Sequence, residues 1–419
     1  MRDSAATLTP IEPTSAFLQT EYAQPEPTDP PIRSRWPIYG EDEIEEVLAV
    51  LRSGRVNALH HGERCKRLEE RFAQRCGRSH AIAVSNGTVA LELALRALGV
   101  GPGDEVIVPA RSFIATASCV AAVGARPIFA DVDPITQNLR AETILPALTD
   151  ATRAVIVVHL AGWPAPMDEI VALADAVGLK IVEDCAQAHG AMLRGRPAGG
   201  FGDAAAFSFC TDKIISTGGE GGLLVLKDEA AWARAWAFKD HGKHPSAMAG
   251  GAPDGTFRWL HSSLGSNYRL TELQAAIGLR QLAKLPHWVK IRGENAQRLN
   301  DRLADLVAVR RTLPPSDTLH AYYKYYAFIR PERLQRGWSR DRILATLIKA
   351  GVPAGSGICP EIYREQAFLS SVSVPPSRLP VAAMLGETSL MLPCDPTLDS
   401  RTIDRMGDLA AEVLAQATN

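Results

Sequence analysis

Ala204-Ala-Ala-Phe-Ser208-Phe-Cys-Thr-Asp-Lys213-Ile-Ile-Ser-Thr-Gly218-Gly-Glu220-Gly-Gly222-Leu-Leu-Val225 places a lysine between two stretches that read as buried strands. Small and apolar residues run into Ser208, Lys213 follows, and a glycine cluster leads into a second apolar run. Lysine is seldom buried unless it is paired or used chemically. A surface lysine on a Gly-rich turn is one reading. The apolar flanks favour another, a Schiff-base lysine with Ser208 placed to hold a phosphate. The run from Gly218 to Gly222 reads as a tight turn that returns the chain to a sheet.

Outward from this stretch the pattern alternates. "HAIAV" from His80 is a short strand, followed by Ser85-Asn86-Gly87-Thr88 and the helix "VALELALRALG". "DEVIVP" (104–109), "RPIFADVD" (126–133), "RAVIVVHL" (153–160) and "LKIVED" read as further strands, with "FIATASCVAAVG" and "MDEIVALADAVG" as helices between them. Strands that alternate with helices and consist of near-continuous Val and Ile runs predict a largely parallel sheet covered on both faces. Function in such sheets collects at the carboxyl ends of the strands. Ser85 to Thr88, Pro109 to Phe113, His159, Glu183-Asp184 and Ser208 all fall there.

Three of these positions have two readings each. A strand, a small-residue turn and a helix N-terminus present free N–H groups to an anion, so Gly87 and Thr88 suit a phosphate; Ser85 or Asn86 can equally be a plain N-cap. Asp184 ends an apolar strand, where a carboxylate needs a cation. It is either a helix cap or the partner of a protonated pyridine nitrogen. Phe113 is either core or the aromatic against a cofactor ring.

The chain has 419 residues, too many for one compact core, and 46% are hydrophobic against 22% charged. A net charge of -2 gives no reason to expect nucleic acid or an anionic membrane as partner. No apolar run is long enough for a membrane span. Seven scattered cysteines without a C-x-x-C fit free thiols in a reducing compartment, here the cytoplasm, and offer no metal site. Residues 1–35 are Pro-, Thr- and Glu-rich and read as a flexible leader. A large domain is expected over 36–287, with 36–57 open to packing against the smaller domain, and a smaller α+β domain over 288–419. Thr271 and Gln274 form a capping box for the helix that runs to Pro286, and a second, charged helix is expected from Trp288. Residues 380–390 are read as a short helix. Asn267 and Arg269 lie just ahead of the capping box, awkwardly polar for packing alone.

Together the chain resembles the sugar-aminotransferase family of fold-type-I PLP enzymes, the DegT/DnrJ/StrS group, from about Trp36 to the C-terminus. The resemblance rests on Ser85-Asn-Gly87-Thr88-Val-Ala-Leu, Glu183-Asp184-Cys-Ala-Gln187-Ala-His-Gly, Ser208 to Gly222 around Lys213, and Gly265-Ser-Asn267-Tyr-Arg269. It implies a large domain with a mostly parallel seven-stranded sheet between helices and a smaller C-terminal α+β domain. It further implies that Lys213 binds PLP as a Schiff base, that Asp184 pairs with the ring nitrogen, and that Gln187 lies beside the ring. Phe113 matches the stacking aromatic. Gly87, Thr88 and Ser208 match the phosphate site, and Asn267 would reach the phosphate of the neighbouring subunit in a homodimer. Retention of Lys213, where some relatives carry histidine and act as dehydrases, favours transamination.

The implied reaction has two steps. Glutamate (or glutamine) gives its amino group to PLP, making PMP, and a keto group of a nucleotide-linked sugar then takes it. The product is an amino sugar for polysaccharide, lipopolysaccharide or natural-product biosynthesis. A cyclitol ketone is the alternative acceptor; a PLP dehydrase or lyase and a non-catalytic PLP-binding regulator are further rivals. The loops 241–262, 320–326 and 355–363 are expected to line the substrate entrance, with Arg258, Arg269, Tyr322, Tyr323 and His241 as candidate substrate residues.

Overall fold

A computed structural model of the chain describes residues 30–243, 257, 259–369 and 374–418. Residues 1–29 of the expected leader, Arg258 and most of the loop 241–262 lie outside the described residues.

Seven short apolar segments form one sheet. They are β1 (His80–Val84), β2 (Glu105–Pro109), β3 (Arg126–Ala130), β4 (Thr152–Val158) and β5 (Lys180–Asp184), then, after the two-residue pieces β6 (Met192–Leu193) and β7 (Arg196–Pro197), β8 (Ala204–Ser208) and β9 (Gly222–Leu226). The order is β1-β9-β8-β5-β4-β2-β3. Neighbours from β8 to β3 run parallel, and β9 is antiparallel to both β8 and β1. The sheet is thus the mostly parallel, seven-stranded one expected.

Both faces are covered, which is why these strands read as continuous apolar runs and not as alternation. The period of two divides each strand between the two faces. Leu224 and Leu226 of β9 pack with Leu91, Leu95 and Val120 from the helices Gly87–Ala97 and Ala115–Ala122. Leu223 and Val225 pack with Leu68, Phe72 and Leu285 from the helices Glu63–Arg75 and Glu272–Arg302.

A second, antiparallel sheet follows, built from β10 (Val309–Arg311), β12 (Tyr325–Ile329) and β13 (Ser389–Leu392); β11 (Thr318–Leu319) pairs with β6. Tyr325, Ala327 and Ile329 face a core with Ile343, Leu347, Ile403, Met406 and Ala410 from the helices Arg340–Lys349 and Ser400–Gln416. Tyr326 and Phe328, one residue out of phase, join the core of the large sheet, so the two parts share a seam.

Two elements differ from the sequence reading. The helix expected over 380–390 ends at Thr388, and Leu390 and Leu392 pair with Ala327 and Tyr325 in β13. The two helices expected on either side of Pro286 are one helix, Glu272–Arg302. Proline removes one helical hydrogen bond, but Leu282, Leu285 and Val289 pack on both sides of it against the large-sheet core. The capping box of Thr271 and Gln274 starts this helix as expected. Residues 30–35 make contacts: Ile32 is 5% exposed in the C-terminal core, and its N–H donates to the Gly351 carbonyl at 2.9 Å.

Candidate active site

Lys213 lies in the loop between β8 and β9. Backbone bonds from Phe209 N to Gly221 O and from Thr217 N to Phe209 O close that loop, and Gly218 (φ 83°) and Gly219 (φ 119°) make its turn. Their left-handed backbone is why glycine stands there. The Lys213 side chain is 17% exposed; its Nζ lies 3.7 Å from Asp212 Oδ1 and 4.9 Å from the Tyr323 ring centroid. Trp36 Nε1 donates to the Lys213 carbonyl at 2.8 Å and anchors the loop from the N-terminal side. The Tyr323 hydroxyl donates to Asp212 Oδ2. Burial pushes the Asp212 carboxyl up, but Lys213 and the Tyr323 hydroxyl prevail and hold it below its usual range.

Asp184 ends β5 and is 7% exposed. Its Oδ2 accepts from Thr116 Oγ1 at 3.0 Å and its Oδ1 from Ala186 N at 3.1 Å. Burial pushes its carboxyl above the usual range, with those two donors and the Lys213 charge acting only in part against it. The carboxylate is therefore short of a cation, which is the environment expected beside a ring nitrogen that carries a proton. Gln187 is held nearby, its Oε1 accepting from Ala161 N at 2.7 Å.

The turn after β1 meets the end of β8. Asn86 caps the helix Gly87–Ala97 by accepting from Val89 N at 3.0 Å. The cap and phosphate readings coexist, because the first N–H groups of a helix, here those of Gly87 and Thr88, have no acceptor within it. A Cβ on Gly87 would lie 2.7 Å from the Ser208 Cβ, so only glycine lets the turn close on Ser208. Ser208 Oγ accepts from Cys210 N at 3.3 Å, and Thr88 is exposed. This cradle, the cation-poor Asp184 and the lysine at the end of the next strand fit a pyridoxal phosphate. Phe113 is 60% exposed, so it is not core; it stands free at the carboxyl end of β2.

The remaining expected residues are placed as follows. Arg269 donates to Asp240, which Lys239 also contacts; burial pushes the Asp240 carboxyl up, and the two cations hold it below its usual range. The Arg269 charge is thus already matched within the chain. Asn267 is exposed and pairs through its backbone with Asp240. His241 is exposed, at φ 61°. Tyr322, at φ 45°, stacks on His320 with centroids 3.9 Å apart and packs against the C-terminal core. The turn at Tyr322 directs Tyr323, and not Tyr322, toward Lys213.

His159 and Glu183, also at strand ends, serve the scaffold. His159 Nδ1 accepts from Ala165 N, so Nε2 donates to Glu183 at 3.0 Å. Glu183 further accepts from Gly199, Phe201 and Gly202. These groups lie close to Cys185 in a cluster of metal-ligand type, but their lone pairs and protons are used within the protein. Thr116, Asp212 and Trp36 were not singled out from the sequence. Thr116 carried a faint signal, one helical turn beyond Ser112, whose Oγ lies 2.9 Å from its own.

A seven-stranded sheet of this order, with a lysine and a cation-poor aspartate at adjoining strand ends, defines the class of fold-type-I aminotransferases. A family profile described as the DegT/DnrJ/EryC1/StrS aminotransferase family matches residues 37–409. The chain belongs to that aminotransferase family. It is 37% identical over 344 residues to a GDP-perosamine synthase of Caulobacter vibrioides, covering 81% of this chain and 86% of that one. It is 38% identical over 295 residues to the L-glutamine:scyllo-inosose aminotransferase of Streptomyces griseus, covering 70% and 69%. Among solved structures, the aminotransferase from Psychrobacter cryohalolentis superposes with a TM-score of 0.89 at 44% identity, covering 92% of this chain and 100% of that one.

Proposed function

We propose that this aminotransferase uses pyridoxal phosphate, cycling through PMP, to move an amino group from glutamate or glutamine to a keto group of a nucleotide-linked sugar. The observation that carries the cofactor reading is Asp184, a buried carboxylate at the end of β5 that accepts from Thr116 Oγ1 at 3.0 Å and Ala186 N at 3.1 Å and, among the described residues, salt-bridges no cation. When bound, the cofactor supplies an electron sink for the carbon that loses its proton. Asp184 would hold the proton of the ring nitrogen, Gly87, Thr88 and Ser208 would hold the phosphate, and Phe113 would lie against the ring. Lys213 Nζ would hold the cofactor and move the proton, with Asp212 at 3.7 Å and the Tyr323 ring at 4.9 Å setting its position. Anchoring at several points holds the reacting atoms in register.

The acceptor follows the named relatives: a GDP-sugar synthase supports a nucleotide sugar, and the scyllo-inosose enzyme supports a cyclitol as second reading. The reading includes a homodimer in which Asn267 reaches the phosphate held by the partner. It also includes a cytoplasmic setting, supported by seven unpaired cysteines. Among the described residues no helix is long and apolar enough to cross a membrane. The reading keeps a cofactor-holding part over 36–287 and a C-terminal part over 288–419, joined by the helix Glu272–Arg302.

The test is a substrate panel on protein loaded with pyridoxal phosphate. Glutamate and glutamine are paired with GDP-, UDP- and dTDP-keto sugars and with scyllo-inosose, and aminated product is detected by mass. Amination of a nucleotide sugar is expected; amination of the inosose alone would select the second reading, and ammonia release without amination would overturn both.

A further inference from the structure

Segments distant in sequence meet behind Lys213, around one buried cation. Arg292 lies on the helix Glu272–Arg302, one turn beyond Trp288, and is 1% exposed. Its guanidinium carbon lies 4.9 Å from the Trp36 ring centroid. Its Nη1 donates to the Tyr322 and Tyr323 carbonyls at 3.4 and 3.3 Å. The Trp288 ring meets the Trp36 ring edge-on, with centroids 4.8 Å apart.

Each group that Arg292 touches leads on to the lysine. Trp36 Nε1 donates to the Lys213 carbonyl at 2.8 Å. Tyr323 presents its ring to Lys213 Nζ at 4.9 Å, and its hydroxyl donates to Asp212, whose Oδ1 lies 3.7 Å from the same Nζ. Tyr322, at φ 45°, is the left-handed residue that directs Tyr323 there, and Cys394 Sγ also donates to its carbonyl, at 3.1 Å. The residue before Trp36 is fastened to the C-terminal part, with Arg35 N donating to Thr397 Oγ1 at 3.0 Å.

A guanidinium in this place is costly. Burial pushes it below its usual range, and Cys394, Asp395 and Tyr323 act only in part against that. Its Nε has no hydrogen-bond partner among the described residues. If filling space were the whole task, an apolar side chain of similar volume would serve as well or better. An apolar side chain cannot meet an indole ring as a cation and donate to two successive carbonyls at once. A lysine ammonium lacks the planar fork that does both. The strained turn at Tyr322 and the ring that holds the Lys213 loop are thereby fixed relative to one another.

We infer that Arg292 and Trp36 form a clamp that sets where Lys213 stands. Arg292 is a positioning residue: it acts through Trp36 on the Lys213 backbone and through the turn at Tyr322 on the ring beside the amine. The inference rests on reading Lys213 as the reactive amine. A loosened clamp leaves cofactor and donor bound but the amine out of line, so the rate of the chemical step falls more than binding does.

The test loads wild type, Arg292→Lys, Trp36→Phe and the double variant with pyridoxal phosphate. Three readouts are taken: the melting temperature, the visible circular dichroism of the lysine-bound cofactor, and the bleaching of that band by glutamate or glutamine. Arg292→Lys keeps the charge and loses the fork. Its bleaching rate at saturating donor is expected to fall about 10- to 100-fold, the scale of a misplaced reacting group, with the half-saturating donor concentration little changed and the circular dichroism weakened. Trp36→Phe keeps an aromatic ring and loses the N–H, and about a tenfold loss is expected. Because the two residues act in one chain, the double variant is expected to lose less than the product of the single losses. If Arg292→Lys does not fold, Trp36→Phe decides, and if neither donor bleaches the wild type, the circular dichroism decides. A folded Arg292→Lys with a lower melting temperature but unchanged rate and circular dichroism overturns the inference, as do losses that simply multiply or a Trp36→Phe without effect. A wild type that shows no lysine-bound band overturns the reading of Lys213, and the inference with it.

Discussion

Gly87 and Ser208 stand so close that a Cβ on Gly87 would lie 2.7 Å from the Ser208 Cβ. The helix turn after β1 and the end of β8 are thereby closed into one cradle, and the N–H groups of Gly87 and Thr88 stand beside the Ser208 hydroxyl. Gly87→Ala forces these two elements apart. The expected result is a loss of about 1–3 kcal/mol of stability, the range for overpacking, and at least a tenfold weaker hold on pyridoxal phosphate, measured by dialysis and absorbance. Full cofactor retention in a folded variant would place the phosphate elsewhere.

Asp184→Asn separates the two effects of a buried carboxyl. The folded-state pKa of Asp184 lies above its ordinary value of 3.8, so ionisation at higher pH costs stability in the cofactor-free protein. The cofactor-free variant is expected to melt at an equal or higher temperature than wild type at neutral pH. Its turnover is expected to fall roughly 100-fold or more, as for a lost charge contact in a dry site. Unchanged turnover would remove Asp184 from the ring nitrogen.

Tyr323→Phe removes only the hydroxyl that donates to Asp212. The ring under Lys213 stays. Turnover should fall by about tenfold or less, the weight of one hydrogen bond, with the cofactor still bound. A loss as deep as that of Asp184→Asn would mean that the hydroxyl touches the reacting atoms.

His189 is fully buried among Phe72, Phe207 and Phe209. Burial brings its pKa down from 6.5 to about 3. The unfolded chain therefore takes up this proton first, and stability is lost as pH falls from 6.5 toward 3. His189→Phe keeps an aromatic ring in place and should flatten that part of the melting-temperature curve. An equally steep acid loss in the variant would assign the effect to another group.

The strands were legible because a sheet covered on both faces demands unbroken apolar runs, as in β4 and β9. Asp184 and the turn at Gly87 were legible because each stands at the end of such a run, and Lys213 because it stands in the loop between two of them. The unbroken helix through Pro286 was not, since packing around Leu285 and Val289 outweighs a local breaker. Which of Tyr322 and Tyr323 faces Lys213 depends on one left-handed backbone position. Arg111 looked like any polar strand-end residue. Its full burial emerges only when Gln137 and Tyr326, distant in sequence, close around it.

The central claim is that Lys213 is the residue that holds the cofactor. Protein loaded with pyridoxal phosphate, reduced with borohydride and digested, can be mapped by mass spectrometry. The predicted result is one phosphopyridoxyl group, on the peptide that contains Lys213 and on that residue. A stoichiometric label on Lys239, Lys324 or any other lysine, or no label on protein that carries the visible band, would contradict it.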